Sequence, residues 1–193
     1  MANEENKRKT WIMFKKADQS IPFESNIIPK FSKLTTTDVH GTWTLSYSAS
    51  SNHAAGVWRA FDHSTSTTCD THRTTSTLYT HFILLDLPDG LAISPETIVS
   101  VVRDDYSGTT SQLKYTVHVR GLNADTGAWD ILTESHSPKY SKTVNTYTDT
   151  VLTKNQYYTQ FRFYIQKIKG TTSSEHGLEL TEYQITKGKY KKI

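Results

Sequence analysis

Residues 43–49 read WTLSYSA, and in an extended chain Trp43, Leu45, Tyr47 and Ala49 fall on one face while Thr44, Ser46 and Ser48 fall on the other. The same period of two returns in LKYTVHV (113–119), with Leu113, Tyr115, Val117 and Val119 together. It returns again in FRFYI (161–165), where Phe161, Phe163 and Ile165 face away from Arg162 and Tyr164. These are strands with one wet face. FILLDL (82–87) and TIVSVV (97–102) are more continuously apolar, the pattern of strands buried on both sides. Turn signals separate the runs: Pro88-Asp89-Gly90, Ser107-Gly108, NADTG at 123–127 and Ser137-Pro138. No amphipathic helical stretch lies between them, so the strands pair mainly antiparallel. The pattern predicts an all-β chain, a jelly-roll β-sandwich of about eight mostly antiparallel strands.

Composition agrees. The chain has 193 residues, 21% charged and 35% hydrophobic, with about 30 Thr and 11 Tyr, types that suit a pleated and half-buried surface. One sandwich over residues 31–188 accounts for most of this length. Residues 1–30 contain WIMFKKADQSIPFESNIIPKF up to its penultimate residue, interrupted by Pro22 and Pro29, and read as an irregular arm that either packs along the sandwich or, the favoured reading, attaches to another chain. Residues 189–193 read as a basic tail. A net charge of +3, much of it at the two ends, does not form the basic face that nucleic-acid binding requires. No apolar run approaches a membrane span, and the N-terminus lacks the apolar stretch of a secretory signal, which places synthesis in the cytoplasm. Cys69 is the sole cysteine, so the core stands without a disulfide.

The closing run GLELTEYQI (177–185) breaks the alternation. Leu178 and Leu180 share one parity, Tyr183 and Ile185 the other. One extra residue at Thr181 or Glu182, a β-bulge, restores the phase and re-aims Glu182.

Taken in order, SYSASSNHAAGVWRAFDHSTST (46–67), FILLDLP, YTVHVRGLNADTGAWDIL (115–132), QFRFYI and GLELTEYQI resemble the discoidin, or coagulation factor 5/8 type C, module of the galactose-binding-like superfamily. The Ala60-Phe61-Asp62 run and Glu182 carry most of the resemblance, which covers about residues 42–187. It implies a structural calcium ion wrapped by the loop after Asp62, with side chains from Asp62, Thr67 and Glu182 and backbone oxygens from Arg59, Ser64 or Thr65. Oxygen donors of these kinds suit calcium. The alternative is a metal-free loop in which Asp62 caps backbone N–H groups. His63 stands where the family prefers Gly, a departure that matters if the position requires positive φ.

The resemblance also implies a glycan site on loops at one end, with His53, His72, Arg73, Arg103, Tyr106 and His176, together with Trp129, as candidates. Trp43 and Trp58 read as core. NIIPKFSKLTTTDVHGTWTLSYSASS (26–51) is similar to the lead-in of such modules in tailed-bacteriophage virion proteins. That implies a decoration or fibre component on the virion, held to other virion proteins by the arm, with cell-surface glycans as further partners; a free carbohydrate-binding module and a purely structural capsid or tail component with no ligand are the alternatives, and closed symmetry, usual for assemblies, makes a homo-oligomer the expectation. No nucleophile elbow, phosphate loop or dinucleotide fingerprint is present, and adjacent Asp104 and Asp105 would point to opposite faces of a strand. The reading is therefore non-enzymatic. His63, Cys69 and His72 fall short of the four ligands of a structural zinc site.

Overall fold

A computed structural model describes residues 20–48, 52–70, 79–104, 114–138, 144–169 and 178–193. Eleven strands lie within them: β1 (Ile21–Phe23), β2 (Thr35–Asp38), β3 (Gly41–Tyr47), β4 (Cys69–Asp70), β5 (Tyr79–Asp86), β6 (Leu91–Asp104), β7 (Lys114–Asn123), β8 (Trp129–Ile131), β9 (Val144–Thr150), β10 (Tyr158–Lys169) and β11 (Leu178–Lys192). The surplus over the expected eight comes from short strands at the margins, whose two to four residues are too few to show a period. A 3-10 helical run, Asn52–Phe61, joins the β3 side to the loop after Asp62.

The pairings are antiparallel and fall into two layers. One layer runs β2-β3-β5-β10-β7-β8, and the other runs β9-β6-β11-β1, with β4 also on β11. They join where Tyr158 of β10 pairs Ile93 of β6. Alternation sets what lies between them. Phe161, Phe163 and Ile165 from β10, Ile83 and Leu85 from β5, and Val117 and Val119 from β7 are buried against Ile98, Val102, Leu180, Tyr183 and Ile185. A column of rings crosses the interior: Phe31 to Phe61 (6.1 Å), Phe61 to Phe163 (5.2 Å) and Phe163 to Tyr183 (4.5 Å). Trp43 is fully buried, and its indole N–H donates to Asp38 Oδ1 at 2.9 Å, so burial leaves no orphan donor there. Trp58 is only partly buried and packs at the edge of this core.

Three expectations change. Residues 20–30 are built into the sandwich: Ile21, Pro22 and Phe23 pair Tyr190, Lys189 and Gly188, and Ile28 is buried. Pro22 is tolerated because β1 is an edge strand, where a missing N–H costs no ladder bond. Residues 189–193 are not a free tail, since β11 continues to Lys192 and Ile193 N–H donates to the Gly90 carbonyl at 2.8 Å. FILLDL is not buried on both sides: Ile83, Leu85 and Leu87 are buried, while Phe82, Leu84 and Asp86 lie partly exposed on the opposite face.

Candidate functional site

The register of β11 against β6 slips where the parity of GLELTEYQI predicts. Leu180 faces Val102 and Glu182 faces Val101, so Thr181 is the extra residue. The bulge turns Glu182 inward to 1% exposure. Across from it stands Asp62, 6% exposed, at the end of the 3-10 run, where buried Val57, Ala60 and Phe61 anchor the backbone. Phe31 N–H donates to the Phe61 carbonyl (2.9 Å) and Ile27 N–H to the Ile185 carbonyl (3.0 Å), which draws the lead-in, the loop and the last strand into one corner.

Asn26 is the hub of that corner. Its Oδ1 accepts from Ile28 N–H (3.2 Å) and from Ile185 N–H (3.1 Å), a bond spanning 159 positions of sequence. His63 has φ 58°, the left-handed region, and its Nε2 lies 2.9 Å from the Ile28 carbonyl oxygen and 3.0 Å from Asn26 Nδ2. The position thus takes the conformation that favours Gly, and the imidazole gains tertiary contacts that Gly lacks. Nothing in the sequence around Asn26 marked it, because its partners, two backbone N–H groups and the His63 ring, are brought together only by the fold.

The loop itself is tied to Asp62. Ser64 N–H donates to Oδ1 at 3.0 Å, and the Thr67 hydroxyl donates to Oδ2 at 2.6 Å while lying 3.2 Å from the Ser64 carbonyl. Ser64 and Ser66 hydroxyls meet at 2.8 Å. Both readings of Asp62 therefore have a physical basis here, as backbone cap and as carboxylate beside Glu182. Glu182 is different. Neither of its carboxylate oxygens has a hydrogen-bond partner, although the Ser64 and His63 amides and the Gln184 side chain lie near enough to offset some of the charge. Burial first, and the Asp62 charge second, push its pKa up to about 8. A buried and unpaired carboxylate facing a second acid is costly at neutral pH.

A cation would relieve that cost, and the donors present would suit a hard one. Asp62 and Glu182 supply carboxylates, Thr67 a hydroxyl and Ser64 a carbonyl, which fit calcium better than a metal that prefers nitrogen or sulfur. Among the described residues no three His, Cys, Asp or Glu side chains converge. Thr65 is exposed, and the exposed Arg59 side chain lies over the Trp58 ring at 5.6 Å.

The glycan candidates fare unevenly. His72, Arg73, Tyr106 and His176 lie outside the described residues, as do the side chains of His53 and Arg103. Trp129 is described, and the Arg162 guanidinium covers its ring at 3.8 Å from the centroid, so that face does not stack on a sugar. At the far edge, His40, Thr42, Thr44, Asp86, Asp89 and Gln160 help line an open cleft of about 630 Å³, a polar recess that no motif announced.

No family model and no curated protein matches the sequence. Several solved structures resemble the chain in outline. The family 32 CBM from C. perfringens NanJ in complex with galactose shares 16% identity, covers 77% of this chain and 93% of its own, and has a TM-score of 0.44. The F5/8 type C domain of a Bacteroides fragilis protein shares 15%, covers 83% and 97%, and reaches 0.49. A CBM32 from Clostridium perfringens in complex with GalNAc-β-1,3-galactose shares 13%, covers 74% and 93%, and reaches 0.42.

Proposed function

We propose that the chain is a non-catalytic binding module whose sandwich is locked at one corner by calcium and whose surface contacts glycans. The observation that carries this reading is Glu182, buried to 1% exposure beside Asp62 with no well-formed hydrogen bond to either oxygen, so that the nearby donors only partly offset its charge. A raised carboxyl pKa is also the mark of a catalytic acid. A catalytic acid must reach its substrate, however, and Glu182 is sealed between β6, the loop after Asp62 and the core. Structural cation binding is the better account of the pair. Asp62, Glu182, Thr67 and backbone oxygens of the loop, with Ser64 the one already turned toward Thr67, would hold the ion. When bound, it would neutralise the two carboxylates.

Glycan contact is supported by the resemblance of the sequence to discoidin-type modules, and galactose-containing ligands occupy two of the similar solved structures. A glycan array probed with the full chain in calcium-containing buffer tests it: reproducible binding to a defined set of sugars is expected, and a blank array refutes glycan contact. The setting that best fits the lead-in NIIPKFSKLTTTDVHGTWTL is an appendage of a phage particle, where many copies raise avidity without tight single sites. Immunogold labelling of intact particles tests this placement, and absence of the protein from particles removes it.

A further inference from the structure

The alternation that sends Phe161 and Phe163 inward sends Arg162 and Tyr164 to the opposite face of the same layer. There the register places Arg162 directly opposite Arg120 of β7, and Tyr164 opposite both His118 of β7 and Phe82 of β5. Two cations in a direct cross-strand pair destabilise a sheet unless something compensates. Rings compensate in part. The Arg162 guanidinium lies 3.8 Å from the Trp129 centroid and 4.5 Å from that of Phe82, and Arg120 lies 5.1 Å from that of Tyr164. His118 stacks on Tyr164 at 4.8 Å and 5°. No ion pair to a carboxylate forms at either arginine among the described residues, and the buried Nε of each has no partner. Among the described residues of β5, β10 and β7, the acid that the register places on this face is Asp86, which sits across from Gln160 and Thr44. Burial, and then the Arg120 charge, lower the His118 pKa to about 4, so at neutral pH this imidazole adds no charge of its own.

We propose that this face of β5, β10 and β7 binds a carboxylate-bearing oligosaccharide, with Arg120 and Arg162 sharing one carboxylate between them. This rests on the glycan reading above and names the chemical class of the ligand. The register sets the two arginines on neighbouring strands; Arg162 Nη1 donates to the Tyr164 hydroxyl at 3.4 Å, and the remaining terminal amino groups are left as donors, an arrangement suited to the two oxygens of a carboxylate. A neutral sugar leaves both cations uncompensated. A nucleic-acid strand needs open ring faces for its bases, and here guanidiniums and a neighbouring ring occupy them. An acidic peptide that binds by strand addition needs a free edge, and β5, β10 and β7 each have strands on both sides.

The test is calorimetric titration of the full chain with a hyaluronan hexasaccharide, with its carboxyl methyl ester, with (dT)15 and with poly-L-glutamate. The expected result is at least tenfold tighter binding of the acid than of the ester, and weaker binding of the other two polymers. Arg120→Gln with Arg162→Gln should lower affinity for the acid at least tenfold, and Arg162→Lys, which keeps the charge but loses the fork, should fall between. An unchanged thermal midpoint in each variant establishes that the sandwich is intact, and the single Arg120→Gln substitutes if the double variant unfolds. Equal binding of acid and ester, no loss in the arginine variants, or tighter binding of (dT)15 or poly-L-glutamate overturns the proposal. If the variants keep every glycan-array signal of the native chain, this face is refuted while the glycan module stands; a blank array removes both.

Discussion

His63 shows how a single position combines strain and compensation. A left-handed φ costs an ordinary L-residue roughly 1–2 kcal/mol relative to Gly, and a net hydrogen bond returns about 0.5–1.5 kcal/mol. With φ 58° and the Ile28 carbonyl 2.9 Å from Nε2, the two nearly cancel. His63→Gly is therefore expected to change unfolding free energy by less than about 1 kcal/mol in urea titrations, whereas His63→Val, strained and without the contact, should cost about 2 kcal/mol or more. His118 makes a second prediction at this scale. Its folded pKa of about 4 lies below the ordinary 6.5, so between those values the unfolded chain binds the extra proton. Stability is present above pH 6.5 and is lost as pH falls toward 4, by at most about 1.4 kcal/mol per pH unit for one group. His118→Gln should flatten that part of the profile relative to the native chain; an identical profile contradicts the assignment.

Elements reveal which parts of this sequence were legible. The bulge at Thr181 was, because parity in a strand is strict and one extra residue shifts every later side chain to the other face. The turn at 123–127 was, because the Asn123 side chain accepts from the Asp125 and Thr126 N–H groups and Gly127 takes φ 69°. The lead-in was not. Its order comes from Asn26 and from edge pairing with β11, which are tertiary bonds without a local period. FILLDL misled for a related reason: its outward Phe82 and Leu84 lie beneath arginine and tyrosine side chains of β10, so apolar residues on that face do not signal a second sheet. Close packing within the same layer yields a sharp expectation. A Cβ on Gly121 would lie 2.6 Å from the Tyr158 ring and 3.0 Å from Leu132. Gly121→Ala should destabilise by about 1–3 kcal/mol through overpacking, measured as a lower urea midpoint with an unchanged slope.

At the scale of the whole molecule, the two layers meet through hydrophobic packing, yet the corner that joins the lead-in, the loop after Asp62 and β11 also carries an unbalanced pair of acids. The sequence announced both acids but not the burial of Glu182 beside Asp62, which depends on how deeply the bulge sets Glu182. Calcium stabilises a fold only if it binds the native state in preference to the unfolded chain, and then by about 2.7 kcal/mol at a hundredfold excess over Kd. Glu182→Gln removes one carboxylate and the cost of ionising it in the interior, so the variant stripped of metal should be at least as stable as the stripped native chain at neutral pH. The deciding measurement is the thermal midpoint of the EDTA-stripped full chain as calcium is added back at neutral pH, beside Glu182→Gln. The corner described here predicts a midpoint that climbs steadily with calcium in the native chain and stays flat in the variant. A native midpoint indifferent to both EDTA and calcium contradicts it.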